Sequence, residues 1–151
     1  MLPAGFRLQG ITVAKTFETR RVRVLRVHCP IEAATLAAML NGSPAAIERD
    51  PVLGRMLPII RGGGPLGDFG IYRGVVELAP GWELFTPGAD AAPVAGSAGS
   101  DTISPTAILT VHIPADADPD AVDTALAAVM AAHPWEVPVI ELGETALLVR
   151  A

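Results

Sequence analysis

The alternation of hydrophobic and polar positions is clearest over residues 106–142. Leu109, Val111 and Ile113 fall on one side of residues 107–113, and Ile108, Thr110 and His112 on the other. That period of two belongs to a strand with one apolar face. Pro114 ends it, having no N–H to give a ladder. Asp116, Asp118 and Asp120 then mark a helix start, with Asp118 suited to the N-cap and Pro119 to the first helical position. The acidic cluster complements the positive end of the helix. Val122, Ala125, Leu126, Val129 and Met130 recur at helical spacing and predict one buried stripe. Pro134 disfavours helix at His133. Residues 137–142 and 145–149 read as strand, interrupted at Gly143.

A looser copy of this unit lies upstream. In residues 20–29, Leu25, Val27 and Cys29 share a face while Arg26 and His28 share the other. Pro30 follows, then an Ala/Leu-rich helix from about Ile31 to Leu40 with Asn41–Gly42 as its stop. Val27-His28-Cys29-Pro30 and Val111-His112-Ile113-Pro114 hold the same place in the two units. Two strand–helix–strand units predict an α+β, ferredoxin-like sandwich, with a four-stranded antiparallel sheet and both helices on one side. The leading strands of the two units are then adjacent and central. Leu25, Val27, Cys29, Leu109, Val111 and Ile113 would face the helices. Arg26, His28, Thr110 and His112 would stand on the open face, with apolar Val22, Val24 and Ile108 asking to be covered.

The remaining stretches modify this plan. Residues 1–19 form an N-terminal extension in which FRLQGITVA is a possible added strand, and residues 20–151 make one domain. Residues 43–67 are an insertion after the first helix, and Ile47, Met56, Leu57, Ile59 and Ile60 suggest extra helix or packed loop. The run from Arg61 to Pro65 is a flexible break; no Gly-Lys-Ser/Thr follows it, which speaks against a phosphate loop. Residues 69–79 and 82–86 predict an extra β-hairpin turning at Pro80–Gly81. Residues 87–105 are small, polar and turn-forming, and predict a mobile loop.

Composition narrows the function classes. The 151-residue chain carries a net charge of −5, which argues against nucleic acid as a partner. Arg20, Arg21, Arg23 and Arg26 lie on a predicted strand and read as a solvated or interface face. A lone Cys29 allows neither an internal disulfide nor a paired-cysteine zinc motif. No segment has the length and apolarity of a signal peptide or a membrane span, so the expectation is a soluble cytoplasmic protein.

Three places carry candidate chemistry. His133, in the last turn of a helix, has Glu136 close enough to orient it, and Trp135 brings a large apolar area with one N–H that needs a partner. These side chains read as a ligand contact or as a structural cap. His28 and His112 would begin a zinc or copper site if their strands are adjacent, given a further ligand such as Glu77, Glu83 or a residue of another subunit. The competing reading is two polar residues on a solvated or intersubunit face. Cys29 and His28 point to opposite sides of one strand and cannot form a dyad, and no nucleophile motif is present. An enzyme is not expected.

Two motifs carry a family resemblance. Gly67-x-Phe69-Gly70-x-Tyr72, with Gly81, Phe85, Pro87 and Pro93 after it, resembles the hairpin signature of the domain inserted in the middle of YqfO-type (Nif-three-like) proteins. Ala132-His133-Pro134-Trp135-Glu136-x-Pro138 resembles that domain's second signature, usually HPYEEPAYD. The resemblance spans about residues 20–145. Trp135 stands in place of Tyr, Val137 in place of the second Glu, and Asp90 where Gly is usual. The resemblance implies a fold related to CutA and P-II proteins, which are typically trimeric. The candidate ligand-binding residues are His133, Trp135, Glu136 and Tyr72, and the candidate metal ligands, from strand adjacency, are His28 and His112. The flanking domains that hold two metals in larger members have no counterpart in this length of chain, so neither that site nor an attached hydrolase activity is expected. The combined expectation is an oligomeric P-II/CutA-like module, a homotrimer, that binds a small ligand or a divalent metal ion. The alternative is a structural or partner-docking protein with no small ligand.

Overall fold

The computed structural model describes residues 16–151. The strand suggested within residues 6–14 lies outside the described residues. The elements run β1 (Phe17–Pro30), α1 (Ala33–Leu40), a 3-10 turn (Pro44–Ala46), α2 (Leu53–Arg61), β2 (Glu77–Phe85), β3 (Thr102–Pro114), α3 (Pro119–Ala132) and β4 (Ile140–Arg150). The strands form one antiparallel sheet in the order β2-β3-β1-β4. The leading strands of the two sequence units are therefore its centre, and the α+β ferredoxin-like arrangement holds.

Alternation decided which side of the sheet is buried. Leu25, Val27 and Cys29 on β1, with Ala107, Leu109, Val111 and Ile113 on β3, are all fully buried. Val122 and Val129 of α3 and Leu36 of α1 close over them. Each of the Leu, Ile and Val side chains contributes roughly 1.5–3 kcal/mol by leaving water. Asp118 caps α3 through the Ala121 N–H at 2.9 Å, with Pro119 in the first turn. Met130, assigned above to the buried stripe of α3, is instead exposed.

The insertion is part of the core. Leu53, Met56 and Ile60 of α2 are fully buried, and Leu66 nearly so. Pro58 breaks the bonding ladder inside α2, so the helix depends on this buried face and on its start. Asp50 supplies the start and is itself buried. Its Oδ1 accepts from the N–H of Val52 and Leu53, and its Oδ2 from the Glu32 N–H and the Thr35 hydroxyl. One carboxylate thus serves the beginnings of both α1 and α2.

Several strand boundaries differ from expectation: residues 69–76, expected in the hairpin, are not strand, because β2 begins only at Glu77, and β4 begins at Ile140. No turn forms at Pro80–Gly81: β2 runs straight through both, pairing Pro80 with Ala107 and Gly81 with Thr106. β2 is an edge strand, where a residue without an N–H costs no ladder bond on its outer side. β4 likewise continues through Gly143, which pairs with Val24. β3 begins at Thr102, so the last residues assigned to the loop are strand, because Phe85, Leu84 and Glu83 of β2 pair with Thr102, Ile103 and Ser104. β2 and β3 thereby extend past the end of β1 as a two-stranded arm. Val22 is buried rather than bare, and Val24 and Ile108 are half-buried.

Candidate functional site

The open face of the sheet carries His28 at one end and His112 towards the other. The antiparallel register pairs His28 with Ile108 and His112 with Val24. The two imidazoles share a face, as expected, but stand four positions apart along β3, about 13 Å at the rise of a strand. The expected side-by-side pair is not formed. Equivalent positions in two antiparallel copies are carried to opposite ends of the pair, and only residues near the crossing point become neighbours. His112 instead meets Phe69 edge-on, with ring centroids 6.0 Å apart. Among the described residues no group of three or more His, Cys, Asp or Glu could hold a metal ion.

His28 has a different partner. Its Nδ1 lies 2.9 Å from Glu83 Oε1, across β3 from β2. Gly81 precedes Glu83 by two positions on the same face and adds no side chain; a Cβ there would touch Ile108 Cδ1 at 3.6 Å. With Nδ1–H donating to the carboxylate, Nε2 is left with its lone pair, and that atom is buried with no hydrogen bond.

His133 joins the same cluster from behind. α3 ends there, as Pro134 requires. Its Nε2–H donates to the His28 carbonyl at 2.6 Å, one residue beyond the last β1–β4 pair, Val27–Ile140, and its Nδ1 accepts the Trp135 N–H at 3.2 Å. The imidazole therefore stands in for a strand donor and at the same time fixes the corner that follows. It is 8 % exposed. Burial holds its pKa below the ordinary histidine value of 6.5, against the pull of the His28 carbonyl and the Glu83 carboxylate and with a smaller push from His28.

The corner at residues 133–136 faces a cleft. Trp135 meets the ring of Phe85 edge-on at 6.4 Å and that of His133 at 5.4 Å. Glu136 Oε1 accepts the Ala92 N–H at 2.6 Å and ties the 86–101 loop to the corner. Thr86 donates to Asp101 at 2.6 Å, and the Gly99 N–H donates to the Pro87 carbonyl at 2.9 Å, closing the base of that loop. Between loop and corner lies a cleft of about 320 Å³, with Phe85, Trp135, Pro93 and Val139 among its walls and Glu83 and Glu136 as its acidic groups.

The structure therefore brings together His133, Trp135 and Glu136 of the sequence candidates. Tyr72 is exposed on the 66–76 segment, before the opposite end of β2, and does not line the cleft. Glu83 was considered in the sequence only as a metal ligand; its place in the cleft and its bond to His28 had no local signal. Phe85 entered only as a motif position. Cys29 is buried, and its thiol pKa is pushed up to about 12 by desolvation and by the Asp50 carboxylate, so it is not a nucleophile.

No protein-family profile and no curated protein matches this chain. Among solved structures it is similar to a Bacillus cereus protein related to NIF3, with a TM-score of 0.52 and 15% identity. The match covers 87% of this chain and 27% of that one, so this chain corresponds to about a quarter of that protein. The likeness is one of fold.

Proposed function

We propose that this protein is a non-catalytic, self-associating module that binds a small organic molecule in the cleft between the 86–101 loop and the His133–Glu136 corner. One observation carries the reading: the corner that resembles a family signature is also the wall of an apolar cleft, and a bond from the Ala92 N–H to the Glu136 carboxylate holds the loop that forms the facing wall. Aromatic and aliphatic walls with a few placed polar groups are what small-molecule sites require. The fold likeness to a NIF3-related protein supports kinship with the inserted CutA/P-II-like domain of that family, and with it assembly as a homotrimer. Trp82, Leu84 and Ile103, exposed together on the helix side of the β2–β3 arm, supply apolar surface of the kind a subunit contact covers.

A thermal-shift panel of small molecules on wild type and Trp135→Ala tests the site. Shifts seen in wild type and lost in the variant support it; a panel that moves neither protein rejects it. Light scattering at micromolar concentration tests assembly, and a monomer would remove that part of the proposal.

A second reading rests on the Nε2 of His28, which is buried without a hydrogen-bond partner, so that a metal reaches it only once the covering side chains move aside. A histidine whose other nitrogen is oriented by a carboxylate has the form of a metal ligand, and a divalent ion could take Nε2 if a bound ligand or another chain adds donors. Zinc titration of wild type and His28→Ala by calorimetry decides it: equal, negligible heats end the metal reading.

A further inference from the structure

We infer that the cleft selects an organic cation with an aromatic or broad apolar body, such as an arylalkyl amine or a quaternary ammonium compound; this rests on the small-molecule reading of the cleft given above. Both charged side chains that line it, Glu83 and Glu136, are acidic, and its described lining contains no Lys or Arg. A phosphorylated or carboxylate ligand would meet two carboxylates and no side-chain cation. Phe85 and Trp135 line the same cleft as those carboxylates, with the rings 6.4 Å apart. Aromatic faces attract a desolvated cation, and carboxylates strengthen its hydrogen bonds. The remaining walls, Pro87, Pro93, Val94 and Val139 among them, take an apolar body. Glu83 is placed for this by its bond from His28 Nδ1, and Glu136 by its bond to Ala92 N–H. Both carboxylates are therefore set before a ligand arrives, which reduces the ordering cost of binding.

The test uses three probes of one shape and different charge: 2-phenylethylammonium, 2-phenylethanol and phenylacetate. Each is titrated into the 15N-labelled protein while the Trp135 indole and Ala92 amide signals are followed, in wild type, in the isosteric variants Glu83→Gln and Glu136→Gln, and in the double variant. The cation should bind about tenfold or more tightly than the alcohol, and the acetate weakest. The double variant should bring the cation and the alcohol to within about twofold of each other. If the alcohol or the acetate binds as well as the cation in wild type, the cleft stands as a ligand site and the charge preference is overturned. If none of the three shifts Trp135, both the charge preference and the cleft reading beneath it fail.

Discussion

Replacing His133 by alanine removes the group that joins the central sheet to the cleft corner. Two partners lose their bond: the His28 carbonyl and the Trp135 N–H. A buried polar group left unsatisfied costs about 1–3 kcal/mol. Truncation also opens a space that water can enter, so the two losses fall towards the lower part of that range. The expected cost is about 2–4 kcal/mol, which for a urea slope of about 2 kcal/mol per molar moves the unfolding midpoint down by roughly 1–2 M. Glutamine places an amide nitrogen near the Nε2 position and should recover about half, because it restores the donor to His28 without the acceptor for Trp135. The pH dependence has a definite sign. The folded pKa of His133 is lowered by burial, so its contribution is fully present above the unfolded value of about 6.5 and is lost as pH falls through the lowered folded value. Protonation also puts a proton on Nδ1, facing the Trp135 N–H. The stability gap between wild type and His133→Ala should therefore narrow as pH drops below about 6.5. Urea unfolding of both proteins at several pH values between neutral and mildly acidic measures this. A cost below about 1 kcal/mol at neutral pH, or a gap that widens on acidification, would refute the assignment.

Further outcomes follow from other buried contacts. Asp50→Asn keeps the shape but turns an NH2 donor towards groups that are themselves donors, and should cost about 2–4 kcal/mol in urea unfolding; a loss under 1 kcal/mol would mean that the two helix starts do not depend on it. Gly67 has φ +68, and a Cβ there would run into the Val75 backbone, so Gly67→Ala should lower the melting temperature by several degrees, on the order of a 2 kcal/mol loss. Cys29 should resist a thiol reagent in the native protein at pH 8 and react only at the rate of unfolding, because its thiol pKa is raised to about 12; rapid labelling without denaturant would contradict its burial. Glu136→Gln weakens an exposed, charge-assisted tie to Ala92, so stability should change little while protease nicking within residues 86–101 rises; unchanged nicking would show that the loop is held by other bonds.

Much of the fold was legible because the relevant signals are local. The alternation about Leu25–Cys29 and Leu109–Ile113 set which side chains face inward, and Asp118–Pro119 and Pro134 bounded α3. The misread places were those where a local breaker met a favourable neighbour. Pro80, Gly81 and Gly143 look like turns in isolation, yet each sits in an edge strand whose partner supplies the pairing. Met130 continues the apolar spacing of α3 but stands off its buried face, since Val129 before it and Ala132 after it both pack on the core. The His133–Trp135–Glu136 corner was visible as a motif and a helix stop, whereas its counterpart across the cleft was not.

The chain alone determined two strand–helix–strand units, their inward faces, an insertion rich in apolar residues and a corner built on His133 and Trp135. Tertiary structure decided what those residues meet. Antiparallel register moved His112 away from His28, and the edge position of β2 brought Glu83 to it instead. Asp50 acquired its role only when α1 and α2 began side by side. The physical reason is that a period of two specifies a face from within one strand, while register is a relation between strands distant in sequence. The side chains that share a site are chosen by that relation.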